Sequence, residues 1–375
     1  MPSKLVFSSE IPFRSSRRII AFGADSKNTV ACLEKNIIRL SANHGPMSDA
    51  DAVTAFEKTS GDILKSMKPE LAAVDLHPDY YSTVFGEKVA GRLGIPLVRI
   101  QHHHAHAAAC MAEHGLTESL ALVFDGTGYG TDGNLWGAEL LHIGPDGFKR
   151  LATFAAAPLP GGDISVREPV RQLFGRIFSS GSHGKPDIDS FCRRYGLKYA
   201  IAEVWLKQLE KNINCPKSHS AGRLFDSVSA LLGLAPRLAQ EAEAAINLQK
   251  AAEASKDKPD TSLMPFETSE KEGLFLIDWS PLFSDTAINL SNRALLALSF
   301  HHSLADAAVR MLAFGSAKFA TRNIVLSGGV FMNKLLLGLI ETRLVKSKLK
   351  VFTHGKVPVN DCGIAVGQAA VAALE

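Results

Sequence analysis

Strand-like apolar runs alternate with helix-patterned segments at both ends of this chain, and a long helix-rich middle separates the two alternating parts. This arrangement limits the fold more than any single motif does. Near the amino end, apolar runs at 18–23, 29–33, 71–76 and 95–100 are strand candidates. Between them, Val53, Phe56, Ile63, Leu64 and Met67 lie at helical spacing within 51–67, and a second helical stretch, 82–93, is stopped by Gly94. Strands at 119–124 and 134–142 follow. From about 150 to 270 the pattern is helical, at 185–196, 200–212, 222–234 and 238–253. It ends in a charged segment, 255–271, which Pro259 and Pro265 mark as a surface linker. Beyond it, strands at 274–278, 323–327 and 350–353 alternate with helices at 292–313 and 334–344 and with an Ala/Gly-rich final helix. Strands separated by helices close into largely parallel sheets. The fold class is therefore α/β. Its expected parts are an extension at 1–17, a lobe at 18–150, a helix-rich insertion with linker at 151–272, and a second lobe at 273–375.

Candidate chemistry concentrates after the run Ile95–Ile100. Four of the 13 histidines, His102, His103, His104 and His106, fall within five positions. With 102–114 helical and closed by Gly115, His102 and His106 are four residues apart and project from one face. Two imidazoles so spaced can hold one divalent metal. The bland alternative is a polar helix start whose ring nitrogens bond to loops. Asp125, which ends the apolar run Leu120–Phe124, is placed to be a third ligand, and two histidines with a carboxylate suit iron(II) or zinc. Asp361, before the final helix, is either a cap worth ~1 kcal/mol or a fourth ligand reaching across from the other lobe.

Several segments have the makings of anion sites. Lys27 follows Gly23-Ala24-Asp25 at a strand–turn–strand, where a lysine either meets phosphate or is simply solvated. Asp125–Gly133 (DGTGYGTDG) brings backbone N–H groups within reach of an anion, or merely supplies the positive φ angles of a loop. Gly222 at a helix start and Asp226 one turn on suit a nucleotide and its ribose, or capping alone. Gly328-Gly329, between a strand and a helix, is a phosphate-cradling arrangement. His301 and His302 read as structural. Glycine stretches so distant in sequence converge when two lobes share one cleft. The actin, sugar-kinase and chaperone ATPase folds are built in this way, with nucleotide between the lobes, and this two-lobed plan resembles them.

Composition excludes other classes. A net charge of +3, with no basic stripe, argues against a nucleic-acid partner. Five scattered cysteines without a C-x-x-C pair point to a reducing compartment. Residues 1–18 lack the apolar core of a secretory signal, and no apolar run reaches membrane-spanning length. The expectation is a cytoplasmic protein.

His102-His103-His104-Ala105-His106, Asp125–Gly133 and Trp136-Gly137-Ala138-Glu139 together resemble the carboxy-terminal domain of the HypF family of hydrogenase maturation carbamoyltransferases. So do Pro158–Asp163, Arg167-Glu168-Pro169, Ala221–Asp226, Ser327–Asn333, Asn360–Gly363, Lys27-Asn28-Thr29 and Asp75–Thr83. The resemblance implies a divalent metal, Fe2+ or Zn2+, held by His102, His106, Asp125 and Asp361. It implies ATP, AMP or carbamoyl adenylate at Lys27, Gly126, Thr127, Gly128, Gly222, Asp226, Gly328, Gly329 and Asn333, with Lys27, His102 and Asp125 serving catalysis. In that family, carbamoyl phosphate and ATP give carbamoyl adenylate. The carbamoyl group then passes to the carboxy-terminal cysteine of HypE, where dehydration yields the cyanide ligand of the nickel–iron centre. The resemblance does not extend to the family's acylphosphatase, zinc-finger and YrdC-like adenylate-forming domains, which are not expected within these residues. A separate adenylate-forming domain or a longer HypF is accordingly an expected partner beside HypE. Cys362 stands where a glycine is usual, and Gln240-Glu241-Ala242-Glu243 where Tyr-Glu-Gly-Gln is more frequent. Other readings are O-carbamoylation of a small hydroxylated metabolite and a non-catalytic nucleotide-binding partner of a longer paralogue.

Overall fold

Two sheets, joined through a pair of packed helices, organise the chain; the computed structural model describes residues 5–11, 15–179, 187–284 and 290–374. The first sheet holds β1 (Leu5–Glu10), β2 (Ile19–Ala21), β3 (Ala31–Glu34), β4 (Ile37–Ser41), β5 (Leu71–Asp75) and β6 (Leu97–Ile100), in the order β1-β4-β3-β2-β5-β6. β2, β3 and β4 form an antiparallel meander. β5 and β6 run parallel to β2, reached through the crossovers α1 (Ala50–Met67) and α2 (Tyr81–Leu93). The helix α3 (His102–His114) then leads to the second sheet, which opens with the meander β7 (Ser119–Tyr129), β8 (Leu135–Gly144) and β9 (Gly147–Phe154).

The chain next leaves this sheet. The two-residue strands β10 (Ala157–Pro158) and β11 (Lys217–Ser218) enclose α4 (Asp163–Arg167), α5 (Pro169–Ser179), α6 (Ile188–Tyr195) and α7 (Tyr199–Lys211). After them come α8 (Ala221–Leu231) and α9 (Glu243–Glu253). The chain returns by the hairpin β12 (Glu267–Lys271) and β13 (Leu274–Asp278), whose second strand lies parallel to β9. Then follow α10 (Ser280–Ser284), α11 (Arg293–Lys318), β14 (Asn323–Ser327), α12 (Lys334–Leu344), β15 (Lys350–Thr353) and α13 (Ile364–Ala372).

Counted from the first strand of its meander, each sheet reads third-second-first-fourth-fifth: β4-β3-β2-β5-β6 in one, β9-β8-β7-β14-β15 in the other. The duplicated α/β architecture of the actin and sugar-kinase type is thus present. Its division differs from the expected one. β7 pairs in parallel with β14, Leu120 opposite Ile324 through Val123 opposite Ser327, so 119–154 belongs with the second sheet and the lobes part at α3 rather than near 150. The physical reason is that pairing between strands so far apart in sequence leaves no local signal. The extension contributes β1, which adds to β4; its residues 1–4 and 12–14 lie outside the described residues, as does the start of the helical pattern at 185. The segment read as a linker contains the exposed strand β12. The glycine-rich loop is shorter than expected, because β7 continues to Tyr129 past a register break between Phe124 and Gly128.

What holds the lobes in place is the α3–α13 pair. His102 to Ala112 of α3 and the whole of α13 are buried, and a helix buried on all sides belongs between layers. α13 packs on β2, β3 and β5, α3 on β7 and β14, and the two helices on each other. Only small residues permit this approach: a Cβ at Gly367 would lie 1.8 Å from the main-chain oxygen of Ala105. The next residue, Gln368, accepts from Gly23 N (2.8 Å) and donates to Gly23 O (3.2 Å), fastening α13 to the turn after β2.

Gly367→Ala is expected to destabilise the protein by about 3 kcal/mol, the upper range for overpacking a close contact. Denaturant unfolding measures this, and an unchanged midpoint would show that the helices separate freely.

Candidate active site

At the amino end of α3, Gln101 caps the helix by accepting from His104 N (2.9 Å) and donates from Nε2 to Tyr129 O (3.1 Å) at the end of β7. This sets the rotation of the first turn. His102 and His106 consequently face the register break of the second sheet's first strand, where Asp125 lies, and the turn before α13, where Asp361 lies. His102 Nε2 is 3.5 Å from Asp125 Oδ2 and 3.8 Å from Asp361 Oδ1; His106 Nε2 is 3.7 Å and 3.5 Å from the same two oxygens. All four donor atoms lie within 4.8 Å of one another. A tetrahedral set with bonds of about 2.1 Å has its donors about 3.4 Å apart, so these four fit one divalent ion. Both Nε2 atoms are buried with no hydrogen-bond partner, a state that is costly unless an electrophile sits between them.

Asp75 completes the arrangement from behind. This fully buried carboxylate, at the end of the all-buried strand β5, takes a 2.8 Å hydrogen bond from His102 Nδ1, and its other oxygen accepts from His77 N. With the Nδ1 proton directed at Asp75, the Nε2 lone pair faces the cluster, as ligand histidines require. Sequence reasoning gave Asp75 no such role. The signal was there: an acid ending an otherwise apolar buried strand needs a partner.

The electrostatics follow from one buried and one part-exposed carboxylate, Asp125 and Asp361, facing two buried imidazoles. Burial alone lowers the pKa of His102, but Asp75, Asp125 and Asp361 reverse this and hold it well above the ordinary value. His106 is raised against the same burial by Asp125 and Asp361. Burial tends to raise Asp125, yet His102 and His106 hold it well below the usual carboxylate range. Without a dication, the same carboxylates favour protonated imidazoles. His103 and His104 belong elsewhere. His103 lies under Gly128, where a Cβ would come 2.5 Å from its Cε1, and His104 packs beside Phe148.

The residues expected at nucleotide are distributed around this centre. Lys27 reaches from the turn after β2 to a salt bridge with Glu241 of the insertion; burial lowers its pKa, but Glu241 then raises it above the usual lysine value. Its neighbour Ser26 bonds to Asp361. Gly126, Thr127 and Gly128 lie on β7 directly after Asp125. Other glycines serve close packing. Gly222 brings α8 against Gly126, and Gly328 at φ +99° approaches Phe124 O. Gly329 N donates to Asp125 Oδ1 at 3.0 Å and holds that carboxylate in place. Asn333 is turned inward: its Oδ1 accepts from Leu336 N as the cap of α12, and its Nδ2 donates to His301 Nε2. Asp226 is also interior, 3% exposed, accepting from Gln172 Nε2 at 3.0 Å. Ala242 sits at φ +60°, a left-handed conformation costing about 1 kcal/mol for a residue with a Cβ.

Comparison with known proteins identifies the family. Residues 14–113 match the family model described as the HypF Kae1-like domain, and residues 121–368 that described as carbamoyltransferase, Kae1-like domain, second subdomain. The carbamoyltransferase HypF homolog of Cupriavidus necator is 34% identical, over 95% of this chain and 92% of the relative. Carbamoyltransferase HypF of Rhodobacter capsulatus is 36% identical over 97% of this chain, which spans only 48% of that longer protein. Among solved structures, full-length HypF in its phosphate- and nucleotide-bound form superposes with a TM-score of 0.88 at 29% identity, covering 98% of this chain and 56% of that one.

Two measurements test the centre. Purified protein is expected to carry about one iron or zinc per chain by elemental analysis. His106→Ala should lose most of it, and Asp75→Asn should weaken metal affinity by about 10- to 100-fold; full occupancy in His106→Ala refutes the four-ligand centre. For the metal-free protein, burial pushes His104, His301 and His354 each down to about 4. The unfolded chain, near 6.5 at these groups, binds more protons between those values, so stability should fall on acidification from pH 6.5 to 4. Each unit of pKa separation contributes about 1.4 kcal/mol. His102 and His106, whose pKa values are raised, lose their contribution only as pH rises above 6.5. A melting temperature that does not change with pH across the acidic window would contradict this.

Proposed function

We propose, since this chain belongs to the HypF family of carbamoyltransferases, that it moves a carbamoyl group from carbamoyl adenylate to the carboxy-terminal cysteine of a HypE-like acceptor. The observation that carries this is the meeting of His102, His106, Asp125 and Asp361, two of them with orphaned buried nitrogens, where the helix pair joins the two sheets. Iron(II) or zinc held there by those four residues supplies Lewis acidity toward the carbamoyl oxygen.

The chain's own residues do the rest. Asp75 keeps the His102 lone pair turned inward, and Gly329 N keeps Asp125 from rotating away. Lys27 exchanges Glu241 for the phosphate of the departing AMP, and the main chain at Gly126, Thr127 and Gly128 borders the same space, with Gly222, Gly328 and Gly329 packed behind it. Group transfer forms one S–C bond and breaks the bond between the carbamoyl carbon and the oxygen bridging to phosphorus; AMP leaves with that oxygen and the bonding electrons, and the thiol proton passes to solvent. Carbamoyl phosphate and ATP are the upstream substrates, and the adenylate comes from a separate YrdC-like domain or a longer HypF. Cytoplasmic placement agrees with five free cysteines. No helix among the described residues is long and apolar enough to cross a membrane.

Mixed with carbamoyl adenylate and a HypE-type acceptor, the chain should place a thiocarbamate on the acceptor's terminal cysteine, detected by mass spectrometry. Asp361→Ala should abolish transfer. From carbamoyl phosphate and ATP alone it should release little pyrophosphate. Carbamate esters on small alcohols with an unmodified cysteine would instead identify an O-carbamoyltransferase.

A further inference from the structure

One cation beside this centre has no task in the mechanism above. Arg223 occupies the first turn of α8, between Gly222, which packs against Gly126, and Asp226. Ser220 caps the helix at Arg223 N (3.1 Å), and its hydroxyl lies 2.8 Å from Asp125 O and 2.6 Å from Gly126 O, so this turn is bonded to the strand that bears a candidate metal ligand. The Arg223 side chain is only 11% exposed, and its Nε and Nη1 are buried without a hydrogen-bond acceptor. Asp226 lies 3.0 Å from Nη1, near enough to pair in charge but not aligned to accept, and it takes a hydrogen bond from Gln172. Nη2 lies on the side of Gly126, 3.7 Å from where a Cβ on that glycine would stand.

A guanidinium does not deprotonate, so unfilled donors on it call for an anion. We propose that Arg223 binds the phosphate of the nucleotidyl group in the cleft and that Asp226 acts as a positioning residue for it rather than as a ribose contact. This rests on the carbamoyl-adenylate reading. The phosphate of an acyl adenylate is the one formal anion in that substrate, whereas the carbamoyl group is neutral and needs no cation. Arg223 approaches from the second lobe and Lys27 from the first, so the leaving AMP is held from both sides.

Calorimetric titration of the metal-loaded chain with AMP and with adenosine separates a phosphate contact from a structural one. Wild type should bind AMP more tightly than adenosine. Arg223→Gln should weaken AMP by about tenfold or more, the worth of a charge-assisted hydrogen bond, with adenosine affinity unchanged. Arg223→Lys should recover part of the loss, and Asp226→Asn should weaken AMP selectively. An Arg223→Gln protein that keeps the preference for AMP, or loses both ligands equally, overturns the role of Arg223 alone. Wild type that binds neither ligand overturns the carbamoyl-adenylate reading and the role of Arg223 with it.

Discussion

The close contact of α3 with α13, where Gly367 meets the main chain of Ala105, is the constraint on which the rest depends. α3 carries two of the four candidate ligands, Asp361 sits in the turn that enters α13, and Asp125 lies at the register break of the strand on which α3 packs. The separation between donors from different parts of the chain is therefore fixed by how nearly two helices can approach. Alanine and glycine at the interface allow main chain to touch main chain. Larger residues would move the carboxylates by more than a metal site tolerates.

Packing of that kind creates an electrostatic problem, and the centre is its solution. Two carboxylates in a dry pocket repel each other, and two imidazoles lose hydration. Together the four can be neutralised by one dication, or in its absence by protons on the histidines. Asp75 and Gly329 hold a histidine and a carboxylate from outside the cluster, so ligand orientation does not rely on the ion.

Much of this was legible from residue spacing. His102 and His106 are recognisable because a helix converts a separation of four into a shared face, and that conversion is local. Asp125 and Asp361 were candidates by their place at element ends. Asp75 was not, since a buried acid reveals its partner only in three dimensions. The lobe boundary was misplaced for a related reason: β7 has no sequence neighbour that announces its pairing with β14. The glycines were the most ambiguous residues. An approaching phosphate and an approaching helix both require a missing Cβ, and only coordinates separate Gly222 against Gly126 from a ligand contact. Asn333 and Asp226 likewise read as polar groups at helix starts, yet both turn inward.

The placement of α13 also bears on how the protein is made. This helix follows every other described element, yet it covers β2, β3 and β5 and shares a core with Ile19, Ala21, Leu33, Leu71 and Ala73. During synthesis the first sheet leaves the ribosome early and must wait, with one apolar face uncovered, until the end of the second lobe emerges. The order of translation thus places completion of the first sheet, and assembly of a centre that needs Asp361, at the same late moment. A ribosome-bound chain truncated before residue 360 would hold two sheets and three of the four donors, but only α3 of the helix pair that joins the lobes.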